Sequence, residues 1–298
     1  MTISRPPEIV DRIVARSAQM RAIEERMFAA GMPVAALMEK VAGLLARQIF
    51  DRLERSAIVG VIVGPGHNGG DALVIARELH HQGYPVRIWQ PFPRLKELTQ
   101  AHANYDRHLG IPWLDFSSFV SECALFIDGL FGFGLEREIS GDTADRIWEI
   151  NASGKPIFSI DLPSGIHTET GAVLGKAIKA THTFCLGLWK PAFLQDSAID
   201  YIGTAELIDF DIPLEDIDSV LAESERCYRI TRESAIAALP LPRPLLSHKY
   251  TNGHLLLVCG SQQYAGSAIL TGLGARASGV GMLSIASPES LKYLLDIS

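Results

Sequence analysis

The stretch Ala57-Ile58-Val59-Gly60-Val61-Ile62-Val63-Gly64-Pro65-Gly66-His67-Asn68-Gly69-Gly70-Asp71 decides the fold. Its first half is an apolar, β-branched run with the pattern of a buried strand, and its second half is a glycine-rich turn that leads into a helix from Ala72 to Gln82. A strand, a glycine turn and a helix in that order mark the ligand-holding junction of an α/β protein. Glycines at 64, 66, 69 and 70 remove side chains that would keep a ligand from the backbone, and the helix start offers unpaired amides and the positive end of a dipole. An anionic or oxygen-rich ligand is expected there.

Gly64, Gly66 and Gly69 satisfy the G-x-G-x-x-G dinucleotide fingerprint only formally. That fingerprint needs a carboxylate at the end of the next strand to hold the ribose, and here the strand reads Pro85-Val86-Arg87-Ile88-Trp89-Gln90. An ordinary dehydrogenase is therefore disfavoured. A phosphate loop fails as well, because Gly70 and Asp71 stand where Lys and Ser or Thr are required. Asp71 would repel phosphate and welcome a cation or a hydroxyl.

Outward from this junction, short apolar runs alternate with amphipathic segments. Strands are predicted near 57–64, 85–90, 123–128, 156–161, 181–186 and 205–210, and helices near 71–82, 94–108 and 142–152. Residues 17–53 read as two helices broken at Gly31-Met32-Pro33, with Leu37, Met38, Val41, Leu44 and Leu45 at core-facing helical spacing. The rhythm predicts a three-layer, Rossmann-like, mostly parallel sheet covered on both faces. With 298 residues, one large domain or two smaller ones are expected. The predicted division is 1–213 for the first domain, 214–247 for an acidic, proline-rich linker and 248–298 for a second region. The last restarts the strand-then-glycine theme at His254 to Ser261. Fifty residues of strand, helix and strand cannot bury a core alone, so the second domain is expected to be truncated.

Composition narrows the function classes. A net charge of -7, from 27 basic and 34 acidic residues, argues against a general nucleic-acid or membrane-surface binder. Residues 1–17 lack the apolar core of a secretion signal, and no apolar run approaches the roughly 20 residues of a membrane span. A cytoplasmic location is the default expectation. Cys123, Cys185, Cys227 and Cys259 are too widely spaced for a zinc or redox motif and read as small buried hydrophobes in a reducing compartment.

Polar clusters follow three strands: His67 to Asp71, Asp128 to Glu138, and Asp161-Leu162-Pro163-Ser164-Gly165. Any one alone could be a helix cap or an Asx turn. Their recurrence beyond strand carboxyl ends, where open parallel sheets hold ligands, favours one site. Asn68, Asp128 and Ser164 form an all-oxygen donor set of low charge, which favours a monovalent ion over calcium or magnesium. Asp161 is left as the acid/base candidate, since a carboxylate beside apolar residues can have its pKa raised toward working pH.

At these residues the first 213 positions resemble the NAD(P)H-hydrate epimerase domain. The segments Val63 to Asp71, Asp128-Gly129-Leu130-Phe131-Gly132-Phe133-Gly134 and Asp161 to Gly165 are similar to its three signatures in order and spacing, and Leu37-Met38-Glu39-Lys40 and Tyr201-Ile202-Gly203 fit too. The resemblance implies that His67, Asn68, Gly69, Gly70, Asp71, Gly132, Phe133, Gly134, Leu135, Glu136, Arg137, Glu138 and Asp161 contact a hydrated nicotinamide nucleotide. It also implies that Asn68, Asp128 and Ser164 bind potassium, with Asp161 catalytic. His67 stands where the family commonly has asparagine, which changes a side-chain donor near the substrate, and Ala72 where glycine is frequent.

The segments His248-Lys249-Tyr250, Gly253-His254, Gly260-Ser261, Tyr264 to Ala268 and Ser278 to Gly281 resemble the opening of an ADP-dependent NAD(P)H-hydrate dehydratase domain, similar to the ribokinase fold. ADP (or ATP) would serve only a complete domain of that kind, so dehydration is not expected of these residues. The implied reaction is epimerisation of hydrated NADH or NADPH by a homo-oligomer. The rival reading is a non-catalytic Rossmann-like scaffold, which would be marked by loss of the acidic and metal-binding positions.

Overall fold

Alternation of side chains along the strands produces the layers. In the computed structural model, which describes residues 7–222, 226–239 and 241–292, strand β1 (Val59–Val63) is buried along its whole length. Val61 and Val63 join Leu45, Leu73, Ile75 and Leu79 in one core, whereas Ile62 joins Phe119, Phe126 and Ile147 in another. Successive side chains of a strand point to opposite faces. The sheet is therefore covered on both sides, as the uninterrupted apolar run predicts.

Strands β2 (Val86–Trp89), β3 (Leu125–Gly129), β4 (Ile157–Ile160), β5 (His182–Leu186) and β6 (Thr204–Ile208) complete a six-stranded parallel sheet in the order β2-β1-β3-β4-β5-β6. The chain leaves β1 for β2 on one side and returns to β3 on the other. The loops after β1 and β3 thus diverge, and this topological switch point is where a crevice opens at the carboxyl edge. Helices α1 (Ser17–Ala29), α2 (Val34–Phe50), α3 (His67–His81), α4 (Glu97–His108), α5 (Phe116–Glu122) and α6 (Gly141–Ala152) form the outer layers. Gly31, at φ +106°, supports the predicted break between α1 and α2.

Helix α3 begins five residues earlier than the sequence predicts. Gly69 and Gly70 are poor helix formers, which argues for a turn. Packing overrides that preference, because a Cβ on Gly69 would overlap the carbonyl of Gly64 and one on Gly70 would press on Met38. The glycines let the first turn of α3 lie directly against the end of β1 and against α2.

Two compact units divide the chain, the first ending at Ile230 and the second running from Thr231 to Ser298. The predicted boundary at 213 therefore moves. Residues 214–221 form helix α7 (Leu214–Leu221), whose Ile217 and Leu221 are buried. Asp216 pairs with Arg26 of α1 at 3.0 Å, and Cys227–Tyr228 pairs antiparallel with Ile13–Val14. The acidic composition that suggests a linker is the solvent face of an amphipathic helix. Ile217→Ala is expected to cost about 2–5 kcal/mol in denaturant unfolding monitored on the first unit; a change below about 0.5 kcal/mol would mean that α7 is not part of that core.

The second unit holds helix α8 (Arg232–Ala238), strand β7 (His254–Val258), helix α9 (Ala265–Ala277) and strand β8 (Met282–Ala286), with β7 and β8 parallel. It leaves Leu256, Val258, Leu270 and Leu273 exposed. Cys123 and Cys185 are buried as expected, Cys259 is half-buried and Cys227 is exposed; all four are free. No single helix among the described residues is long and apolar enough to cross a membrane.

Candidate active site

A cavity of about 690 Å³ lies at the switch point of the first unit, a size typical of small-molecule sites. Pro65, Gly66, His67, Asn68 and Asp71 line it from the β1–α3 junction, and Leu130, Phe131, Gly132, Phe133, Gly134, Leu135, Glu136 and Arg137 from the loop after β3. Asp161 enters just beyond β4 and Lys190 from beyond β5, while Arg21 and Glu24 of α1 and Leu37, Met38 and Val41 of α2 close the helical wall. Three loops distant in sequence thus meet in one pocket. Gly69 and Gly70, expected to touch a ligand, do not line it and serve the helix–strand and helix–helix contacts instead. Glu138 is exposed and lies outside the lining.

Asp161 takes a left-handed backbone conformation, φ +68°, which is rare for a residue with a side chain. The conformation is fixed by partners. Lys190 Nζ donates to Asp161 Oδ1 at 2.6 Å, and the Phe133 amide donates to Oδ2 at 2.9 Å. Both members of the ion pair are buried, with side chains 0% and 4% exposed. Lys190 also donates to the Leu186 carbonyl at 2.6 Å and to Cys185 Sγ at 3.7 Å, so its three protons are all engaged. Burial alone would lower the lysine's pKa, but the carboxylate of Asp161, with Cys185 and Glu24, outweighs it and moves the pKa upward. The sequence places Asp161 among apolar neighbours; the structure corrects that environment by adding a buried cation.

Burial pushes several side chains of the site toward their neutral forms. Asp71 is raised well above the usual carboxylate range by burial, with the charges of Asp161 and Glu24 adding to it. Glu24 is raised to about 7, again chiefly by burial, with Lys190 and Arg21 opposing and Asp161 reinforcing the shift. His67, exposed at the mouth, is lowered by partial burial and by the ammonium of Lys96.

Asp128 and Ser164 sit beneath the cavity rather than in its lining. Asp128, fully buried at the end of β3, accepts from the Leu130 amide at 3.2 Å and the Ser164 hydroxyl at 2.6 Å on Oδ1, and from the Ser159 hydroxyl and the Ser164 amide, each at 2.9 Å, on Oδ2. Burial raises its pKa despite these donors. Ser164 Oγ also accepts from the Phe131 amide at 2.8 Å, which ties the loop after β4 to the loop after β3. Asn68 reaches that loop from α3, and its Nδ2 is buried with no hydrogen-bond partner. A Cβ on Gly132 would stand 3.2 Å from Asn68 Oδ1 and 3.1 Å from Asp161 Oδ2, so the glycine keeps the space between those two groups open.

Lys190, Glu24, Arg21 and Lys96 are among the site residues that the sequence alone does not single out. A signal exists for each of the first two. Lys190 lies just past the carboxyl end of β5, the same edge that carries the other clusters, and Glu24 shares the face of α1 that holds the buried Met20, Ile23 and Met27.

An open parallel sheet with a cavity at its switch point, lined by an apolar wall and a few convergent polar groups from three glycine- or proline-containing loops, defines a class of ligand-binding α/β proteins. The chain belongs to the family of the YjeF-related protein N-terminus, which its residues 34–192 match; residues 255–296 match the family described as NAD(P)H-hydrate dehydratase. Among its relatives, the bifunctional NAD(P)H-hydrate repair enzyme Nnr of Synechocystis sp. is 52% identical over 286 residues, which are 95% of this chain and 55% of that protein. The Nnr of Thermosynechococcus vestitus is 50% identical, over 95% of this chain and 56% of its own length. The NAD(P)H-hydrate epimerase of Limosilactobacillus fermentum is 34% identical over 199 residues, 65% of this chain and 94% of that protein. The chain therefore spans about half the length of the bifunctional relatives and nearly all of the single-function one. A crystal structure of the yeast protein YNL200c shares the fold, with a TM-score of 0.61 at 22% identity over 70% of this chain and 93% of that one.

Proposed function

We propose that the first unit interconverts the R and S forms of hydrated NADH or NADPH at ring carbon 6. The observation that carries this reading is the Asp161 carboxylate, pinned by Lys190 and the Phe133 amide beside the space that Gly132 leaves open. Support from kinship comes from the epimerase that the chain matches over nearly that protein's whole length. The second unit contributes one strand-helix-strand unit among its described residues, and the proposal rests on the first unit alone.

A hydrogen on the hydrated carbon is not acidic, so inversion goes through departure and return of a group at that carbon. That route needs a side chain which gives and takes a proton at oxygen, and Asp161 Oδ2 is the carboxylate oxygen aimed at the open space. Lys190 and the Phe133 amide hold the carboxylate in one orientation. The rim cations Arg21, Lys96 and Arg137 offset the phosphates of the nucleotide, and the apolar wall of Leu37, Met38 and Val41 excludes water from the ring.

We further propose that Asn68, Asp128 and Ser164 hold potassium. Among the described residues no cluster of three or more His, Cys, Asp or Glu side chains is arranged to hold a metal, so a cation here would rely on hydroxyl, amide and carbonyl oxygens together with one carboxylate. The donor set fits. Rotation of the Ser159 and Ser164 hydroxyl hydrogens would free Asp128 oxygens, and reversal of the Asn68 amide would put an oxygen where an unpartnered nitrogen stands. When bound, the ion would supply a fixed positive charge beside the substrate.

The purified 298-residue chain, added to a single epimer, is expected to produce the other epimer in proportion to protein concentration; a rate equal to that of buffer would contradict the proposed activity. Adding potassium to potassium-free protein is expected to raise that rate, and a flat response would remove the cation assignment while leaving the activity.

A further inference from the structure

Asp161 alone leaves the proposed reaction one group short. If the hydroxyl departs from one face of ring carbon 6 and water returns to the other, an acid must protonate the leaving oxygen while a base deprotonates the arriving one. Asp161 is held by Lys190 at 2.6 Å and by the Phe133 amide at 2.9 Å, which fixes one carboxylate oxygen, Oδ2, toward the open space and assigns it to the arriving water. The acid has to come from another wall of the same cavity.

We propose that Glu24, which lines the cavity from α1, is the second acid–base group of this site and works with Asp161 across the substrate ring. Glu24 and Asp161 line the same cavity from different elements, one a helix and the other the sheet edge. Burial raises the glutamic acid to about 7, so near neutral pH it carries the proton in a large share of molecules. The charged groups that act on it come from four elements packed around it: Lys190 after β5, Asp161 after β4, Asp71 on α3 and Arg21 one turn earlier on α1. Arg26, also on α1, is engaged with Asp216 of α7 and takes no part.

The step balances within the site. The Glu24 carboxylic acid gives its proton to the hydroxyl oxygen, the C–O bond breaks with the ring nitrogen's lone pair forming a C=N bond, and a water molecule leaves. Water then adds to the opposite face, the C=N pair returns to nitrogen, and the Asp161 carboxylate takes the proton released. In the reverse direction the two residues exchange roles, so one proton shared by two carboxyl groups serves both directions. Return of the proton from Asp161 to Glu24 through solvent resets the site.

This inference rests on the proposed epimerase activity, and its test separates the two. Epimer interconversion by the full chain is followed from roughly pH 6 to pH 8 for the wild type and for Glu24→Gln. The wild-type kcat/KM is expected to fall as pH rises through about 7, because the donor proton of Glu24 is lost. Glu24→Gln is expected to reduce kcat/KM by roughly 100-fold or more and to abolish that fall. A Glu24→Gln protein with the wild-type kcat/KM and the wild-type profile overturns the inference and leaves the epimerase reading intact. A flat wild-type profile also overturns it and needs no variant to fold. A wild-type chain that interconverts nothing overturns the functional reading, and this inference with it.

Discussion

Asp161→Asn is expected to lower kcat/KM for epimer interconversion by roughly 10²- to 10⁴-fold, the range for removal of a positioned acid or base. Asparagine tolerates the left-handed backbone that Asp161 adopts at φ +68°, so the loop itself should hold. The same change leaves Lys190 as a fully buried ammonium without its counter-charge, which is expected to cost about 3–5 kcal/mol of stability. Two readouts separate these effects. The double variant Asp161→Asn with Lys190→Met removes both charges and should recover most of the stability but none of the activity, since a well-packed apolar pair often replaces a buried ion pair without loss. An Asp161→Asn protein with unchanged kcat/KM would remove the carboxylate from the mechanism.

The second large effect is expected from a single methyl group. Gly64 directly follows β1, and its amide donates to the Gly129 carbonyl at 3.1 Å. A Cβ there would overlap the backbone carbonyl of Leu130 and press on that of Gly129, and Gly129 is itself held in the ladder opposite Val63. Neither backbone can withdraw without breaking the β1–β3 pairing that shapes the cavity. Gly64→Ala is therefore expected to destabilise by at least about 3 kcal/mol in denaturant unfolding, at the upper end of overpacking costs. Gly66→Ala, two residues on, meets nothing within 4 Å and has an extended backbone. Its cost should stay near or below about 1 kcal/mol, set by the weaker capping of alanine. Equal costs at the two positions would contradict the geometry of the turn.

Much of this architecture is legible in the chain because sheet burial writes itself as composition. Val59 to Val63 and Leu125 to Ile127 are apolar throughout because both faces of those strands are covered, and Asp128 and Asp161 stand out as carboxylates that close such runs. The start of α3 is not legible, since Gly69 and Gly70 enter the helix for reasons of packing that involve Gly64 and Met38, far from any local propensity. Residues 214–221 mislead for a similar reason: their acidic residues are visible in sequence, but the groove that buries Ile217 and Leu221 is not. Lys190 and Glu24 are the instructive omissions. A lysine reads as solvated and a glutamate on a helix as surface, and only the folded chain places one with its side chain 0% exposed and the other at the wall of the same cavity.

Family membership and the fold are established by the match at residues 34–192 and by the parallel sheet. The proposed chemistry depends on where a hydrated nicotinamide ring sits. Diffraction from crystals of the full chain soaked with hydrated NADPH tests that directly. The ring is expected inside the cavity, with its hydrated carbon's oxygen about 3 Å from Asp161 Oδ2 and the phosphates toward Arg21, Lys96 and Arg137. A ring bound outside that cavity, or density only in the unit from Thr231 to Ser298, would contradict it.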